Sequence, residues 1–169
     1  MAEFKVEFKD NSIAVINAIK EIAPAVLEEV CGELKSQTQR NTRVDSSETK
    51  GKWAHIVTSK GTRYEGVVGN PMQNAIWEEF GTGEHALDGK GRKGGYWVFV
   101  KGSSGSKSKS GKTYTQKKAK QVVAMMRSKG LDAYYTNGKK PSRAFYKAYT
   151  SLKNKLIKRI QDAFKGGLS

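Results

Sequence analysis

The segment Asn74-Ala-Ile-Trp-Glu-Glu-Phe-Gly-Thr-Gly83 places two large aromatics, two carboxylates and a glycine stop in ten positions. Pro71 stands before it, where its fixed φ and missing N–H suit the start of a helix. Gly81 ends the apolar pattern, so the sequence predicts a helix of about two turns. A helix that short is unstable alone in water. We therefore expect Trp77 and Phe80 to be buried beneath the terminal helices.

The residues just before this helix have the pattern of a β-hairpin. Trp53, Ile56 and Val57 predict one strand, Gly61 a turn and residues 64–68 a second strand. The polar stretch at residues 39–50 has no period and predicts a loop.

The N-terminal region predicts a strand followed by a long helix. Residues 4–8 alternate apolar and charged side chains, which is typical of an edge strand. Residues 10–12 offer N-cap oxygens to an apolar helical stripe over residues 13–34. Pro24 interrupts that stripe, which predicts either a kinked helix or two abutting helices.

The second half contains the strongest strand pattern and a low-complexity stretch. Residues 95–100 predict a central strand, and residues 102–112, rich in Gly, Ser and Lys, predict a disordered segment. Residues 115–129 predict a surface helix and residues 133–136 a short strand. Pro141 is expected to open a last helix, with an apolar stripe at Phe145, Tyr149, Leu152, Leu156, Ile160 and either Ala163 or Phe164.

These elements predict an α+β fold in a single domain, residues 1–169. We expect a twisted, mainly antiparallel sheet of four to five strands, packed by a long N-terminal and a long C-terminal helix. Residues 84–140 form a variable, basic loop–helix excursion from this core, with residues 102–112 as its flexible part.

The chain is strongly basic, with 31 Lys and Arg against 16 Asp and Glu and a formal charge of +15. Residues 84–140 alone hold 14 basic and 3 acidic side chains. Such a field favours an anionic partner or an oppositely charged neighbour in an assembly. No run is apolar enough for a membrane span and no signal peptide is evident, so we expect no membrane association and synthesis in the cytoplasm.

The motif Glu79-Phe80-Gly81-Thr82, after Trp77, resembles that of the head-tail joining and tail-completion family of tailed bacteriophages, a family of minor tail components. The later segment with Pro141 and Phe145, followed by an amphipathic helix, matches the order of parts in that family. The resemblance covers most of the chain, from about Ile13 to Phe164.

This resemblance implies a non-enzymatic structural protein of the virion, at the tail or head–tail junction and made in the host bacterial cytoplasm. It implies self-association into a ring, commonly a hexamer, and contacts with neighbouring tail and connector proteins. It also implies that the residues of the motif are structural.

The alternative function is a basic nucleic-acid-binding module with nonspecific DNA contact, because lysines cluster beyond the glycine-rich loop. The candidate contacts to DNA or to a protein partner are Lys107, Lys109, Lys112, Lys117, Lys118 and Lys120. A solvated charged face has the same composition.

Catalysis, cofactors and metals have little support in the sequence. His55 and His85 are the only histidines and belong to no metal-ligand or triad pattern. Glu78 and Glu79 are adjacent on a helix and do not converge as an acid–base pair. Cys31, the only cysteine, falls on an apolar stripe and is expected to be a small buried side chain. We expect no catalytic residue, cofactor or metal, and a small hydrolase is the least supported class.

Overall fold

The computed structural model describes residues 10–43, 47–89, 91, 93–101 and 112–167. Its helices and strands, in chain order, are α1 (Ser12–Asn41), α2 (Ser47–Gly51), β1 (Ala54–Lys60), β2 (Arg63–Gly69), α3 (Gln73–Phe80), β3 (Trp97–Val100), α4 (Gln116–Ser128), β4 (Ala133–Thr136) and α5 (Ala144–Gly167), with short 3₁₀ turns at Gly83–His85 and Leu87–Gly89. The strand predicted at residues 4–8 lies outside the described residues. So does nearly all of the segment predicted to be disordered, including Lys107 and Lys109.

The chain divides into two compact units. The terminal unit comprises Met1–Pro71 and Phe145–Ser169, and the middle unit comprises Met72–Ala144. The predicted excursion, residues 84–140, falls wholly within the middle unit. The single domain and the variable character of the excursion stay predictions.

The core of the terminal unit forms where α1 and α5 pack together. Val26 and Val30 of α1 and Leu156 of α5 are buried, and partly buried apolar residues pack against them: Leu34, Leu152, Ile160, Ala163 and Phe164. The antiparallel β1–β2 hairpin lies against α1, with Ile56 paired with Val67 and Val57 with Gly66. The predicted hairpin and the apolar stripe of the last helix are therefore confirmed.

An ion-pair group joins the same two helices at their edge. The Glu33 carboxylate accepts hydrogen bonds from Lys155 at 2.6 Å and from Arg159 at 2.7 Å. The hydrogen bond from Lys155 is the main reason why the pKa of Glu33 lies below its ordinary value, and the charges of Lys155 and Arg159 add to it. A lowered carboxylate pKa stabilises the fold above the pKa of the unfolded chain. That stabilisation is lost as pH falls through the folded-state pKa.

The middle unit is built from an antiparallel strand pair and one helix. In β3 and β4, Trp97 pairs with Thr136 and Phe99 with Tyr134. Helix α4 packs on this pair and buries Ala119 and Val123, and Ala133 of β4 is fully buried. Thr115 caps α4 by accepting a hydrogen bond from the Lys118 backbone N–H at 3.4 Å.

The α+β class and the long terminal helices are confirmed, but the sheet of four to five strands is wrong. The described residues form two antiparallel sheets of two strands each, β1–β2 and β3–β4. Each pair covers one face with its own helix, α1 or α4, so neither pair needs to join a larger sheet to bury apolar surface. Within the described residues β3 belongs to a sheet of two strands, so the prediction that it is a central strand is wrong.

Three smaller expectations also differ from the structure. Helix α1 continues through Pro24 as one element, so the two-helix alternative is wrong. The loop predicted at residues 39–50 is shorter, because α1 runs to Asn41 and α2 begins at Ser47. The last helix begins at Ala144 and not at Pro141, because Arg143 has a φ of 55° and cannot belong to a right-handed helix.

Helix α1 and strand β2 lie close together at Gly66. A Cβ at this position would lie 2.5 Å from the Cys31 Sγ and 3.6 Å from a methyl group of Leu27. Cys31 is itself buried, so its sulfur has little room to move. The packing of the hairpin on α1 therefore requires glycine at this position.

We predict that Gly66→Ala lowers the free energy of unfolding by about 1–3 kcal/mol, because the added methyl overpacks this contact. Gly69→Ala in the same strand is the matched control, since its Cβ would meet nothing within 4 Å. Adding Cys31→Ala to Gly66→Ala should recover part of the loss. Urea unfolding followed by circular dichroism measures the stability of the wild type and of the three variants. Equal stability of Gly66→Ala and Gly69→Ala would contradict the close packing at Gly66.

Candidate interaction surfaces

The Phe-Gly-Thr motif forms a joint with the segment that precedes α5, and we call residues 78–84 with 137–143 the motif joint. The Glu78 backbone carbonyl accepts hydrogen bonds from the Ser142 backbone N–H at 2.7 Å and from its hydroxyl at 3.0 Å. The Glu78 carboxylate, almost buried, pairs with the Lys139 ammonium. Glu78 therefore anchors residues more than sixty positions away in sequence.

Thr82 and Glu84 extend the motif joint through hydrogen bonds to residues 137–139, and most of these bonds join the two backbones. Its backbone N–H donates to the Lys139 carbonyl and its hydroxyl accepts from the Lys139 N–H, both at 2.9 Å. The Glu84 N–H donates to the Asn137 carbonyl, also at 2.9 Å. The two ends of the predicted excursion therefore meet.

Gly81 of the motif is required by its conformation and its surroundings. It has a φ of 75°, and a Cβ there would come within 2.9 Å of the Lys139 carbonyl and of the Pro141 ring. Only glycine fits this combination of left-handed backbone and close approach. Pro141 therefore packs against Gly81 in the motif joint. Phe145 belongs to the terminal unit, where its ring stacks on that of Trp53 with centroids 6.0 Å apart.

The expected burial of Trp77 and Phe80 is wrong. Their side chains are 45% and 52% exposed, while Ala75 and Glu78 are the buried positions of α3. The joint explains the difference, because pairing with Lys139 and Ser142 turns the Glu78 face of this short helix inward. The two aromatics therefore belong to the surface, and Glu79 is half-buried.

The outer side of the β3–β4 pair carries an aromatic face, defined here as Trp77, Trp97, Phe99 and Tyr134. The Phe99 and Tyr134 rings stack at 5.8 Å, and the Arg127 guanidinium lies 5.0 Å from the centre of the Tyr134 ring. A groove of about 510 Å³, the aromatic groove, opens here and is lined by Trp77, Thr82, Gly83, Trp97, Phe99 and Thr136. The face is apolar and partly exposed, and the Arg127 guanidinium lies at its border.

This face is not among the features predicted above, although the sequence contains a signal for it. Trp97 and Phe99 are two residues apart on a strand and therefore point to the same side. Tyr134 and Thr136 repeat that spacing on β4. The pairing register that brings the four together is not visible in the sequence.

The described lysines among the candidate partner contacts are exposed on or just before α4. Lys117, Lys118 and Lys120 lie on the helix, which has no acidic residue, and Lys112 lies a few residues before it. The opposite side of α4 carries the buried Ala119 and Val123. The lysines thus form a solvated basic ridge.

The terminal unit has its own apolar cavity and a basic helix face. The cavity, about 420 Å³, is lined mainly by Leu27, Cys31, Leu34, Phe145, Leu156 and Ile160. The basic face of α5 carries Lys147, Lys153, Lys155, Lys158 and Arg159. Two of these five, Lys155 and Arg159, are already paired with Glu33.

The candidate catalytic groups His55 and Glu78 each form an ion pair with another side chain. The His55 imidazole pairs with Glu28 at 2.7 Å in the terminal unit, whereas Glu78 pairs with Lys139 in the middle unit. Burial, with a smaller effect from Glu28, raises the pKa of the Cys31 thiol, which keeps it protonated. Among the described residues no group of three or more His, Cys, Asp and Glu side chains is placed to hold a metal ion.

The chain was compared with protein-family models, with curated proteins and with solved structures. None of the three comparisons finds a match. The phage-family resemblance therefore remains a proposal. Within the described residues, no helix has the length and apolar character needed to cross a membrane.

We predict that Lys139→Met lowers the free energy of unfolding by about 1–3 kcal/mol, because it leaves the nearly buried Glu78 carboxylate without its cation. Lys140→Met is the control, since Lys140 is exposed. It should change stability by less than about 0.5 kcal/mol.

A Glu78→Gln and Lys139→Met double variant should be more stable than Lys139→Met alone, because no charge is then left unpaired. Thermal and urea unfolding of these proteins measure the effect. Indistinguishable stabilities of Lys139→Met and Lys140→Met would contradict the anchoring role of Glu78.

Proposed function

We propose that this chain is a non-enzymatic structural protein of a tailed bacteriophage, acting at the head–tail or tail-completion interface. In this proposal it assembles into a ring, a hexamer by analogy with the family, and contacts neighbouring tail and connector proteins. Its place would be the virion, after synthesis in the host bacterial cytoplasm.

One observation supports the proposal most: the two sequence motifs that resemble the phage family lie against each other in the structure. Phe80-Gly81-Thr82 and the segment with Pro141 are about sixty residues apart in sequence. In the structure Gly81 lies against Pro141, and Thr82 makes two hydrogen bonds with Lys139. In this chain the residues Phe80-Gly81-Thr82 help to hold the motif joint together. This structural role agrees with the role that the resemblance implies for the motif.

The distribution of exposed apolar side chains also supports assembly. Phe99 and Trp77 are more than 40% exposed in the middle unit, and Ile13 and Ile16 of α1 are 75% and 48% exposed in the terminal unit. Clusters of large exposed apolar residues are typical of protein–protein interfaces.

A second candidate function, nonspecific DNA binding, is favoured by the basic ridge of α4. Lys117, Lys118 and Lys120 are exposed without an acidic residue on the same helix. Such a ridge would contact phosphates without reading sequence. DNA contact by an assembled ring is compatible with the structural proposal, whereas DNA binding by a monomer is the alternative.

The test is the solution mass of the purified chain, alone and mixed with the tail and connector proteins encoded beside it. We expect light scattering to give a closed multiple of 18.7 kDa, alone or on mixing, because the proposal assigns function to self-association. A chain that stays monomeric in every mixture, yet binds DNA, would overturn the structural proposal and favour the alternative.

A triple variant, Lys117→Gln with Lys118→Gln and Lys120→Gln, locates the DNA contact in the same samples. If α4 touches phosphates, the slope of log affinity against log salt should fall by about 2–3. Lys147→Gln with Lys153→Gln and Lys158→Gln removes the same charge from α5 and serves as the control. Equal slopes for the two triple variants would remove α4 as the DNA-binding element.

A further inference from the structure

The motif joint contains an Asn-Gly pair, Asn137-Gly138, and the chain has no other such pair. The remaining asparagines precede Ser, Ala, Thr, Pro or Lys. Asparagine is one of the chemically labile side chains of proteins. It is most labile before glycine, because a residue without Cβ leaves its backbone nitrogen open to attack the preceding side-chain amide. Asn137 is therefore the asparagine that the chain's own backbone can modify most easily.

The fold requires glycine at position 138. Gly138 has a φ of 137°, a conformation that residues with a Cβ rarely adopt. A Cβ there would also overlap the Thr82 carbonyl oxygen. The close approach of the two backbones in the motif joint therefore places glycine after Asn137, and the chemical lability of the pair follows from this packing.

In the folded protein both reacting groups are held by hydrogen bonds to other residues. The Asn137 side-chain amide donates to Glu84 Oε2 at 2.8 Å, and its backbone carbonyl accepts from the Glu84 N–H at 2.9 Å. The Gly138 N–H, which must lose its proton before the nitrogen can attack, donates to the Thr136 hydroxyl at 3.0 Å. These bonds oppose the side-chain rotation and the proton loss that the reaction requires. The closed joint therefore protects the pair.

We propose that Asn137 is a self-modification site that becomes reactive when the motif joint opens. In the open joint the Gly138 nitrogen gives its proton to a base in the solvent and attacks the Asn137 Cγ. Ammonia leaves as the succinimide ring closes. Water then adds to one of the two ring carbonyls, which yields either aspartate or isoaspartate, whose backbone runs through the former side chain. The reaction consumes only water, and the inference does not rest on the proposed function.

The modified chain cannot close the joint as before. Aspartate at position 137 places a second carboxylate beside Glu84, so a hydrogen bond is replaced by repulsion between like charges. Isoaspartate also lengthens the backbone by one carbon before Gly138, where the contact with Thr82 leaves no room even for an added Cβ. Because the reaction is irreversible, each modified chain keeps a weakened motif joint.

The first test compares the rate of modification in the folded and the unfolded chain. The protein is kept at mildly alkaline pH with and without guanidinium chloride, and trypsin then releases residues 130–139, in which Asn137 is the only side-chain amide. Mass spectrometry measures the exchange of NH₂ for OH in this peptide. We expect the folded chain to react at least about tenfold more slowly, because only its open fraction reacts. Equal rates would overturn the protection by the joint.

Two variants remove the hydrogen-bond acceptors that hold the reacting groups. Glu84→Ala removes the acceptor of the Asn137 amide, and Thr136→Val removes the acceptor of the Gly138 N–H while it keeps a β-branched side chain. Each folded variant, relative to its own rate in guanidinium chloride, should react about threefold faster or more than the wild type. Asp132→Ala removes an exposed carboxylate of the same unit and should leave the rate unchanged. Circular dichroism confirms that each variant is folded.

Amide hydrogen exchange measures the effect of the modification on the joint. Chains modified in guanidinium chloride are refolded and separated from unmodified chains by chromatography. The N–H groups of Thr82 and Glu84 should exchange about tenfold faster in the modified chains. Asn137→Gln keeps a side-chain amide but would have to close a larger ring, which forms more slowly. After the same treatment this control should stay unmodified and keep the slow exchange.

These measurements use the chain without any partner, so they test the inference independently of the proposed function. Faster reaction of Glu84→Ala and Thr136→Val, together with faster exchange in the modified chains, supports it. Equal acceleration in Asp132→Ala would assign the rate to charge and not to the joint. Unchanged exchange at Thr82 and Glu84 would show that the joint closes around the modified residue. Either of these two results overturns the inference.

Discussion

The middle unit depends on one residue, Glu78, which is bonded through both its backbone and its side chain. Its backbone carbonyl accepts hydrogen bonds from the Ser142 N–H and hydroxyl, and its carboxylate forms an ion pair with the Lys139 ammonium. These bonds hold α3 to the chain that leads into α5, and Thr82 and Glu84 extend them along the backbone. Because Glu78 faces inward, Trp77 faces outward and the aromatic groove exists. The exposure of the aromatic face is therefore a consequence of a polar joint.

The sequence predicts well those elements whose stability is local or periodic. The hairpin follows from alternation around Gly61, α3 from Pro71 and Gly81, and α4 from the helical pattern of residues 115–129. The two long helices follow from their apolar stripes, although the sequence predicts that both pack on a sheet and the structure packs α5 against α1. The class of the fold and its long helices are thus accessible without coordinates, because each depends on spacing within one segment.

The remaining features depend on pairing between distant segments. The strand count per sheet was overestimated because propensity at Trp97–Val100 does not reveal that α4 covers one face of the β3–β4 pair. The exposure of Phe80 is not predictable from its apolar character, because composition does not show which face of a two-turn helix packs against the rest of the protein. Lys139, which decides that face, is 61 residues from Glu78 and reads as one more solvated lysine. The exposure of the α4 lysines is predictable from the sequence, because lysines opposite the apolar side of a surface helix stay in solvent.

Amide hydrogen exchange of the native protein tests the motif joint most directly. The account predicts that the N–H groups of Thr82, Glu84 and Ser142 exchange as slowly as those of β3 and β4, because one cooperative unit contains them all. Gly94 lies outside these bonds and provides the reference for fast exchange in the same unit. Rapid exchange at Thr82, Glu84 and Ser142, with β3 and β4 still protected, would contradict the claim that the joint organises the middle unit.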